Sequence, residues 1–370
     1  MKVTIERSTF LKALGHVQSV VERRNTIPIL SNVLLHGEGS VLSLTATDLD
    51  IEISEQVPAD IEKKGAITVN ALTLYEIVKK LPDGAQIRLD LGSADRLKLS
   101  AGRSEFSLAV LPDKDFPSLS SEDDGVRFTM PCDDMKRLID KTRFAMSQDE
   151  TRYYLNGVYL HATDEDGGSL RAVATDGHRL ARLDAGLPKG AENIPGVIVP
   201  RKAVGELRRL IEDADELIDV SVSAAKIRFT FADIIFTSKL IDGSFPEYSR
   251  VIPQGNDRIM RVDTEDFEHA VDRVSTVSAD KTRSVKLSLE KDRLKLVVNN
   301  PETGSAHEEL SVDYKDEAME IGFNARYLLD IAKEIEGDKL TLVLADASSP
   351  TIIRDDEDLH ALYVLMPLRV

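Results

Sequence analysis

The chain contains no tryptophan, and aromatic residues make up only 5% of its 370 positions. Its hydrophobic core must therefore be built mainly from leucine, isoleucine and valine. A single cysteine, Cys132, excludes an intrachain disulfide and a multi-cysteine zinc cage, and it fits a reducing compartment. Because Cys132 stands near a predicted helix start in PCDDMKRL, we expect a structural residue there rather than a nucleophile.

Long apolar runs are also missing. The opening segment MKVTIERSTFLKALGHV has no signal-peptide core, and no stretch approaches the ~18 apolar residues of a membrane-spanning helix. These features predict a cytoplasmic protein. Positive charge is in deficit, because 47 Lys and Arg face 64 Asp and Glu, for a net charge of −17. Taken alone, this acidic balance argues against binding to nucleic acid.

What the sequence does contain is a threefold internal repeat. VTIERSTFLKALGHV starts at residue 3, RFTMPCDDMKRLIDKTRFAMS at 127 and MRVDTEDFEHAVDRVSTVS at 260. Each predicts a short strand, a polar capping stretch and an amphipathic helix. The equivalent apolar positions in these segments are Phe10, Met135 and Phe267.

A second match follows in each repeat, as strand, turn, helix and strand, around Asn70, Pro200 and Asn324. Period-two alternation in VLSLTATDLDIEI, RLKLSAGRSEFSLAVL, KIRFTFADIIFTSKLI and RLKLVVNN predicts strands with one buried face. The sequence therefore predicts an α+β fold of three tandem domains, each with two helices packed on antiparallel sheets. We place the domains at residues 1–124, 125–252 and 253–370.

The charge is unevenly distributed between the predicted helices and the rest of the chain. The helical windows 8–25, 71–83, 132–147, 200–213, 264–283 and 324–336 together carry +1, which leaves −18 elsewhere. A head-to-tail dimer of such arrays could close into a ring of six domains. Helices lining the inside would then present a mildly positive lumen within an acidic shell. The alternative is that amphipathic helices simply carry lysine and arginine on their wet faces.

Two other functional classes, an enzyme and a peptide-binding scaffold, also fit parts of the sequence. Asp176 and His178 in ATDGHR could form an acid–base pair or bind a metal, as in a magnesium-dependent nuclease or phosphatase. However, Asp-Gly is a turn signal, and the phosphate-loop, HExxH and GxSxG motifs are missing from the sequence. A peptide-binding scaffold without ring closure is the third class, and it would behave as a monomer.

Several motifs together resemble the bacterial DNA polymerase III β subunit family. They are RYYLNGV (152–158), AVATDGHRLA (172–181), VIVPRKAV (197–204), FTSKLIDGSFPEYSRVIP (236–253), NNPE (299–302) and YVLMPLRV (363–370). The match covers essentially the whole chain in order. The resemblance implies a sliding clamp, which is a homodimeric ring around double-stranded DNA and a non-catalytic accessory subunit of a DNA-directed DNA polymerase (a nucleotidyltransferase complex).

The resemblance also implies partners and a site. A clamp loader, the replicative polymerase, repair polymerases, and mismatch-repair and ligation factors would bind through short linear motifs; no cofactor or metal is expected. The partner-peptide pocket would be lined by Leu155, Thr175, Gly177, His178, Arg179, Leu180, Pro246, Arg250, Val251, Asn324, Tyr327, Val364, Met366, Pro367 and Arg369. Thr282 and Ala347 stand where bulkier apolar residues are expected, which puts the motif preference in question.

Two further sets of residues follow from the resemblance and from the repeat. DNA contacts would come from Arg24, Lys79, Lys80, Lys136, Arg137, Lys141, Tyr153, Tyr154, Arg201 and Lys202. The tyrosine pair could alternatively pack beside Leu155.

The dimer interface would use Arg103, Phe106, Leu108, Val277, Glu302 and Glu308. The alternative for Phe106 and Leu108 is that they are ordinary core residues.

Overall fold

The computed structural model describes residues 1–22, 26–92, 96–119, 125–214, 216–278 and 283–369. The first repeat alternates short strands with two helices. Its elements are β1 (Lys2–Glu6), α1 (Arg7–Val17), β2 (Asn32–Glu38), β3 (Val41–Thr47), β4 (Ile51–Pro58), β5 (Asp60–Lys63), β6 (Gly65–Asn70), α2 (Ala71–Lys80), β7 (Gln86–Leu91), β8 (Arg96–Ala101) and β9 (Ser104–Leu111).

The second and third repeats use the same order without a counterpart of β5. The second has β10 (Val126–Pro131), α3 (Cys132–Arg143), β11 (Gly157–Thr163), β12 (Ser169–Thr175), β13 (Arg179–Gly186), β14 (Val197–Pro200), α4 (Arg201–Leu210), β15 (Leu217–Val222), β16 (Lys226–Phe231) and β17 (Ile234–Lys239). The third has β18 (Arg258–Asp263), α5 (Thr264–Ser275), β19 (Ser284–Glu290), β20 (Arg293–Asn300), β21 (Gly304–Ser311), β22 (Met319–Asn324), α6 (Ala325–Ala332), β23 (Lys339–Leu344), β24 (Thr351–Asp355) and β25 (Ala361–Leu365).

Helix starts agree with the sequence prediction because the repeated polar residues are caps. The side chain of Asn70 accepts from the Thr73 N–H at 2.9 Å, and that of Asn324 accepts from the Arg326 N–H at 3.0 Å. The predicted helical windows run too far at their C-terminal ends. In α2 the reason is Pro82, which disfavours helical geometry at Leu81, so the helix ends at Lys80.

The helices bury the residues that the repeat aligned. Phe10, Met135 and Phe267 are all buried, as the internal repeat predicts. Cys132 is buried at the first position of α3, in agreement with a structural role. Within the described residues, no helix is long and apolar enough to cross a membrane.

All strand pairs are antiparallel, and two sheets run continuously from one repeat into the next. A 13-stranded sheet joins the first and second repeats where β4 pairs with β17, with Phe236 opposite Ile53. An 8-stranded sheet joins the second and third repeats where β13 pairs with β25, with Tyr363 opposite Ala181. The remaining strands, β21, β20, β19 and β22, form a 4-stranded sheet. The sequence periodicity predicted the strands but not these pairings between repeats.

The chain groups into two compact units, and the second repeat contributes to both. One unit comprises Met1–Asp133, Pro188–Pro195 and Lys202–Leu240 and contains the 13-stranded sheet. The other comprises Asp134–Leu187, Gly196–Arg201 and Ile241–Val370 and contains the 8- and 4-stranded sheets. Each of the two pairings between repeats therefore lies inside one unit.

The β4–β17 pairing should contribute strongly to stability through Phe236, which is 0% exposed and stacks on Phe229 at 6.1 Å. We expect Phe236→Ala to lower the free energy of unfolding by about 3–5 kcal/mol. The neighbouring Ile235 is partly exposed, so Ile235→Ala should cost less than about 1 kcal/mol. Urea unfolding followed by circular dichroism measures both, and equal costs for the two variants would contradict the assignment.

Candidate functional site

The segment ATDGHR forms the tight connection between β12 and β13. The Thr175 hydroxyl donates to the Arg179 carbonyl at 2.6 Å and accepts from the Gly177 N–H at 3.1 Å. The Asp176 carboxylate accepts from the N–H groups of His178 and Arg179 at 2.9 and 3.0 Å. Gly177 has φ +88°, a left-handed conformation that favours glycine. The turn is thus fixed by its own side chains.

The C-terminal strand lies directly beside this turn. Leu180 of β13 is opposite Val364 of β25, and the Met366 N–H donates to the His178 carbonyl at 2.9 Å. The chain continues past β25 and is held again where the Leu368 N–H donates to the Gly322 carbonyl at 2.8 Å. These bonds bring three of the predicted pocket segments together within one unit.

The apolar part of this pocket divides into a buried floor and an exposed rim. Leu180 and Val364 are each 2% exposed and belong to one core cluster with Val173, Ile352 and Leu362. Phe245, Tyr248, Ile252, Tyr159 and Val343 pack against that cluster. Leu155 is also buried, whereas Val251 is 48% and Met366 is 40% exposed. Val251 and Met366 are thus the exposed apolar members of the predicted pocket set.

Two predicted pocket residues are engaged in internal contacts. Arg179 is 8% exposed and donates to the Asp330 carboxylate and to the Phe144 carbonyl, both at 2.6 Å. Its guanidinium also lies 4.3 Å from the centroid of the Tyr327 ring. Asn324 uses its side-chain oxygen to cap α6. Arg179 therefore holds Tyr327 in place instead of offering a free cation to a ligand.

A cavity of about 240 Å³ lies beside the turn, and its lining includes His178 and Tyr327. The two rings are 6.4 Å apart with an interplanar angle of 22°, and Arg152 and Arg326 also line the cavity. Burial raises the pKa of the Tyr327 hydroxyl, so this group stays protonated as a hydrogen-bond donor. The remaining predicted pocket residues Pro246, Arg250 and Arg369 are exposed, and Pro367 is half-buried.

The acid–base interpretation of Asp176 and His178 does not fit this geometry. Oδ1 of Asp176 accepts from the two N–H groups of the turn, and Oδ2 accepts from Arg179 Nε at 3.2 Å, so both carboxylate oxygens are engaged in holding the turn. Within the described ranges, no cluster of three or more His, Cys, Asp or Glu side chains could hold a metal ion. Asp176 is therefore a structural residue of the turn. Thr282 lies outside the described residues, and Ala347 is exposed in the loop after β23.

Among the predicted DNA contacts, Lys141 needs correction. Its side chain is only 4% exposed, and Nζ pairs with the Glu336 carboxylate at 2.6 Å and donates to the Glu334 carbonyl. A lysine buried in this way is a structural link between α3 and the segment after α6, so it is not available to phosphate. Burial raises the pKa of the neighbouring Glu334 carboxyl.

The other predicted DNA contacts occupy varied environments. Lys79 and Lys80 are exposed at the end of α2, and Lys80 lies 3.9 Å from Glu76. Lys202 is exposed but pairs with Asp48 at 2.5 Å and Glu22 at 3.1 Å, which raise its pKa although partial burial opposes the shift. Arg24 lies outside the described residues.

On the second repeat, Arg137 is exposed and pairs with Asp358 at 2.9 Å, while Lys136 and Arg201 are half-buried. Tyr153 is 53% exposed and meets the half-buried Tyr154 edge-on at 5.8 Å. Both tyrosines lie in the 3-10 turn Glu150–Leu155 that follows α3. Tyr153 is thus open to solvent, and the packing alternative describes Tyr154 better.

Three of the predicted dimer residues, Phe106, Leu108 and Glu308, lie on two strands with the same exposure pattern. On β9, Phe106 and Leu108 are half-buried between exposed neighbours, and Arg103 is exposed just before the strand. On β21, Glu308 is half-buried and pairs with Arg273, which lowers the pKa of its carboxyl. Glu302 is exposed, and the Val277 carbonyl accepts from the Thr303 hydroxyl. Glu308 therefore already has a cationic partner within its own chain.

The comparisons with known proteins cover the chain from end to end. It matches models of the DNA polymerase III beta subunit N-terminal domain over residues 1–120, central domain over 129–247 and C-terminal domain over 249–369. It is similar to the beta sliding clamps of Caulobacter vibrioides, at 57% identity, and Escherichia coli, at 41%, with all of each chain covered.

Solved structures give the same result. A DnaN sliding clamp from Bartonella birtlesii bound to griselimycin is similar with a TM-score of 0.98 and 51% identity, over 100% of both chains. A C. crescentus beta sliding clamp, with PEG bound to a putative beta-motif tethering region, has a TM-score of 0.97 and 57% identity over 100% of both chains.

The left-handed turn offers a direct test of this site's geometry. A methyl group on Gly177 would sit in a strained conformation, 2.7 Å from the Arg152 guanidinium. We expect Gly177→Ala to cost about 1 kcal/mol, which corresponds to roughly 2–4 °C in Tm for a unit of about 150–250 residues. Gly186→Ala, at a position with open space around it, is the matched control. A Gly177→Ala protein as stable as the control would contradict the strain argument.

Proposed function

The chain belongs to the DNA polymerase III beta subunit family, and on that basis we propose that it acts as a DNA sliding clamp. Two copies close into a ring around duplex DNA, which tethers the replicative polymerase to its template. The observation that carries this function is the likeness of the whole chain, in all three repeats and in order, to beta sliding clamps. The protein itself is a non-catalytic accessory subunit.

Ring closure is supported by two strand edges that, among the described residues, lack the partner their equivalents have: one edge of β21, and the edge of β9 over residues 104–109, since Val110 and Leu111 of β9 pair with β6. In the first two repeats, the strands β4 and β13 pair with the last strands of the following repeats, β17 and β25. Their counterpart in the third repeat is β21, an edge strand, and the last strand of the first repeat is β9. A second copy can supply the missing pair, with β9 of one subunit against β21 of the other.

The equivalence of β4 and β21 is supported by the same helix-to-strand contact, in which a basic side chain of the helix meets a glutamate of the strand. His16 of α1 lies 2.8 Å from Glu55 of β4, and Arg273 of α5 lies against Glu308 of β21. His16 and Arg273 are each six residues beyond the equivalent phenylalanines of the repeat. Glu308 therefore occupies the position of Glu55.

The equivalence of β9 and β17 is supported by their hairpins. The β8–β9 hairpin closes with Ala101 opposite Ser104, and the β16–β17 hairpin closes with Phe231 opposite Ile234, each with two residues between. Ser104 therefore occupies the position of Ile234. The aromatic residues two positions later, Phe106 and Phe236, are likewise equivalent.

These equivalences define a register for the ring joint. Within the chain, Glu55 lies opposite Ile234. The same register places Glu308 opposite Ser104 of the partner subunit and Ala306 opposite Phe106 of the partner subunit. Phe236 is 0% exposed in the intrachain pair, whereas Phe106 is half-buried in the single chain, so dimerisation would complete its burial.

The net charge of −17 is compatible with encircled DNA. An acidic exterior repels the duplex, and a few exposed cations on the helices make weak, sequence-independent contacts that permit sliding. We assign these contacts to Lys79, Lys80, Arg137 and the exposed ring of Tyr153. Lys202, which Asp48 and Glu22 partly neutralise, should contribute less.

The pocket formed by the ATDGHR turn, the Tyr248–Val251 turn and the C-terminal segment is the proposed docking site for partners. Polymerases, the clamp loader, and repair and ligation factors would bind there through short extended motifs, with an apolar anchor between Val251 and Met366. A methionine rim adapts to different anchors, which suits a pocket with many partners. We further propose a cytoplasmic location and domain boundaries near residues 124 and 252.

The dimer prediction concerns β9. Leu108→Asp should raise the dissociation constant of the dimer at least about tenfold, because closure would bury an unpaired carboxylate. Ala109→Asp places the same charge on the exposed face of the strand and should leave dimerisation nearly unchanged. Sedimentation velocity across a concentration series measures both, and a dimer unaffected by Leu108→Asp would contradict the proposed joint.

The pocket prediction uses griselimycin, which binds the related Bartonella clamp. Met366→Ala removes half of the apolar rim and should weaken griselimycin binding by roughly tenfold in titration calorimetry. Leu359→Ala is the control, since Leu359 is highly exposed in the loop before β25 and is not one of the proposed pocket residues. Equal affinities for the two variants would argue that the ligand binds elsewhere.

A further inference from the structure

The wall of the proposed pocket that carries Arg250 and Val251 is a single 3-10 turn, Tyr248–Val251. Both rim side chains are exposed, and Arg250 pairs only with Glu247 of its own turn at 2.5 Å in the described structure. The turn is anchored at its two ends, where Tyr248 and Ile252 pack against the cluster that includes the pocket floor. The position of the rim therefore depends on how firmly these two anchors are held.

Tyr248 is held by its hydroxyl as well as by its ring. Arg171 Nη1 donates to the hydroxyl at 3.2 Å, and His161 Nε2 lies 2.9 Å from it. His161 Nδ1 lies 2.8 Å from the Ala162 carbonyl, which can only accept. Nδ1 must therefore carry the proton, and in the neutral ring Nε2 is an acceptor. Tyr248 thus accepts from Arg171 and donates to His161.

The two partners of Tyr248 are themselves fixed. The Arg171 side chain is 4% exposed, and Asp184 receives its Nε and Nη2 in a two-pronged ion pair. Glu165 lies 2.9 Å from the same guanidinium. The His161 ring lies 4.8 Å from that of Tyr159, and burial lowers its pKa, so the ring is neutral near pH 7 as the acceptor role requires.

We propose that His161 is a positioning residue for partner binding, which sets the orientation of Tyr248 and through it the Arg250–Val251 wall of the pocket. Apolar packing alone would hold the turn against the core but would leave the tyrosine ring free to rotate and slide. Two directional hydrogen bonds on one hydroxyl restrict that freedom. This role rests on the proposed function of the pocket.

Griselimycin affinity, measured by titration calorimetry on the full-length protein, tests the role. His161→Leu removes the acceptor and Tyr248→Phe removes the donor, and each should weaken binding about three- to tenfold. The double variant should be no weaker than Tyr248→Phe alone, because Tyr248→Phe already removes the bond that His161→Leu removes. His161→Gln restores a side-chain oxygen that can accept and should recover most of the affinity.

Tyr314→Phe is the matched control, because it removes a tyrosine hydroxyl that donates to the Glu317 carbonyl at 2.6 Å and is not part of the proposed pocket. It should bind griselimycin as the wild type does. Thermal unfolding of every variant shows whether it is folded, and Tyr248→Phe keeps the test decisive if His161→Leu does not fold.

The possible results distinguish a failure of the positioning role of His161 from a failure of the proposed pocket. If the wild type binds griselimycin and His161→Leu and Tyr248→Phe bind equally well, the positioning role is wrong while the pocket stands. Additive losses in the double variant, or a His161→Gln protein as weak as His161→Leu, would also overturn it. A wild-type protein that does not bind griselimycin would overturn the pocket and the positioning role together.

Discussion

Unpaired strand edges are the constraint on which the rest of this structure depends. A strand edge exposes a row of N–H and C=O groups that must find partners or remain open to other chains. Here β17 pairs with the edge of β4, and β25 pairs with the edge of β13, so that neighbouring repeats are joined by main-chain hydrogen bonds.

Main-chain pairing does not depend on most side chains. The two joints therefore have the same arrangement although different residues are paired, as in Phe236 with Ile53 and Tyr363 with Ala181. In the proposed ring, a second copy would supply the missing partner by pairing its β21 with residues 104–109 of β9.

The proposed partner pocket is a consequence of the second of these pairings. Because β25 pairs with β13, Val364 lies opposite Leu180. The chain then leaves the sheet beside the ATDGHR turn, where the His178 carbonyl accepts from the Met366 N–H. The floor is therefore made of ordinary core residues, and its stability is that of the sheet. The rim is different, because Val251 and Met366 are exposed and depend on neighbouring anchors. A rigid floor with a supported but adaptable rim suits a site that receives several short peptides.

The sequence predicted much of the fold because the threefold repeat shows the pattern of each helix and strand three times. Capping residues at Asn70 and Asn324, the buried Phe10 and Phe267, and the period-two strands were all recognisable, since their causes are local. Helix ends were overestimated, because amphipathic patterns extend past residues such as Pro82 that end the helix. Lys141 was misassigned because a basic residue on a helix reads as solvated, whereas its partner Glu336 is distant in the sequence. The support of the pocket by Arg171 and Tyr248 was missed for the same reason, since it depends on contacts between strands that no spacing reveals.

The central claim is that the protein holds DNA by encircling it. The measurement that tests this most directly is retention on DNA after loading by a matched clamp loader with ATP onto a nicked circular plasmid. The account predicts that the protein stays on the isolated circle in high salt and is lost when a single cut linearises the plasmid. High salt removes ionic contacts but leaves a topological link intact. Equal loss from circular and linear DNA, with the loader from the same source, would contradict the ring and favour a scaffold that binds partners without enclosing DNA.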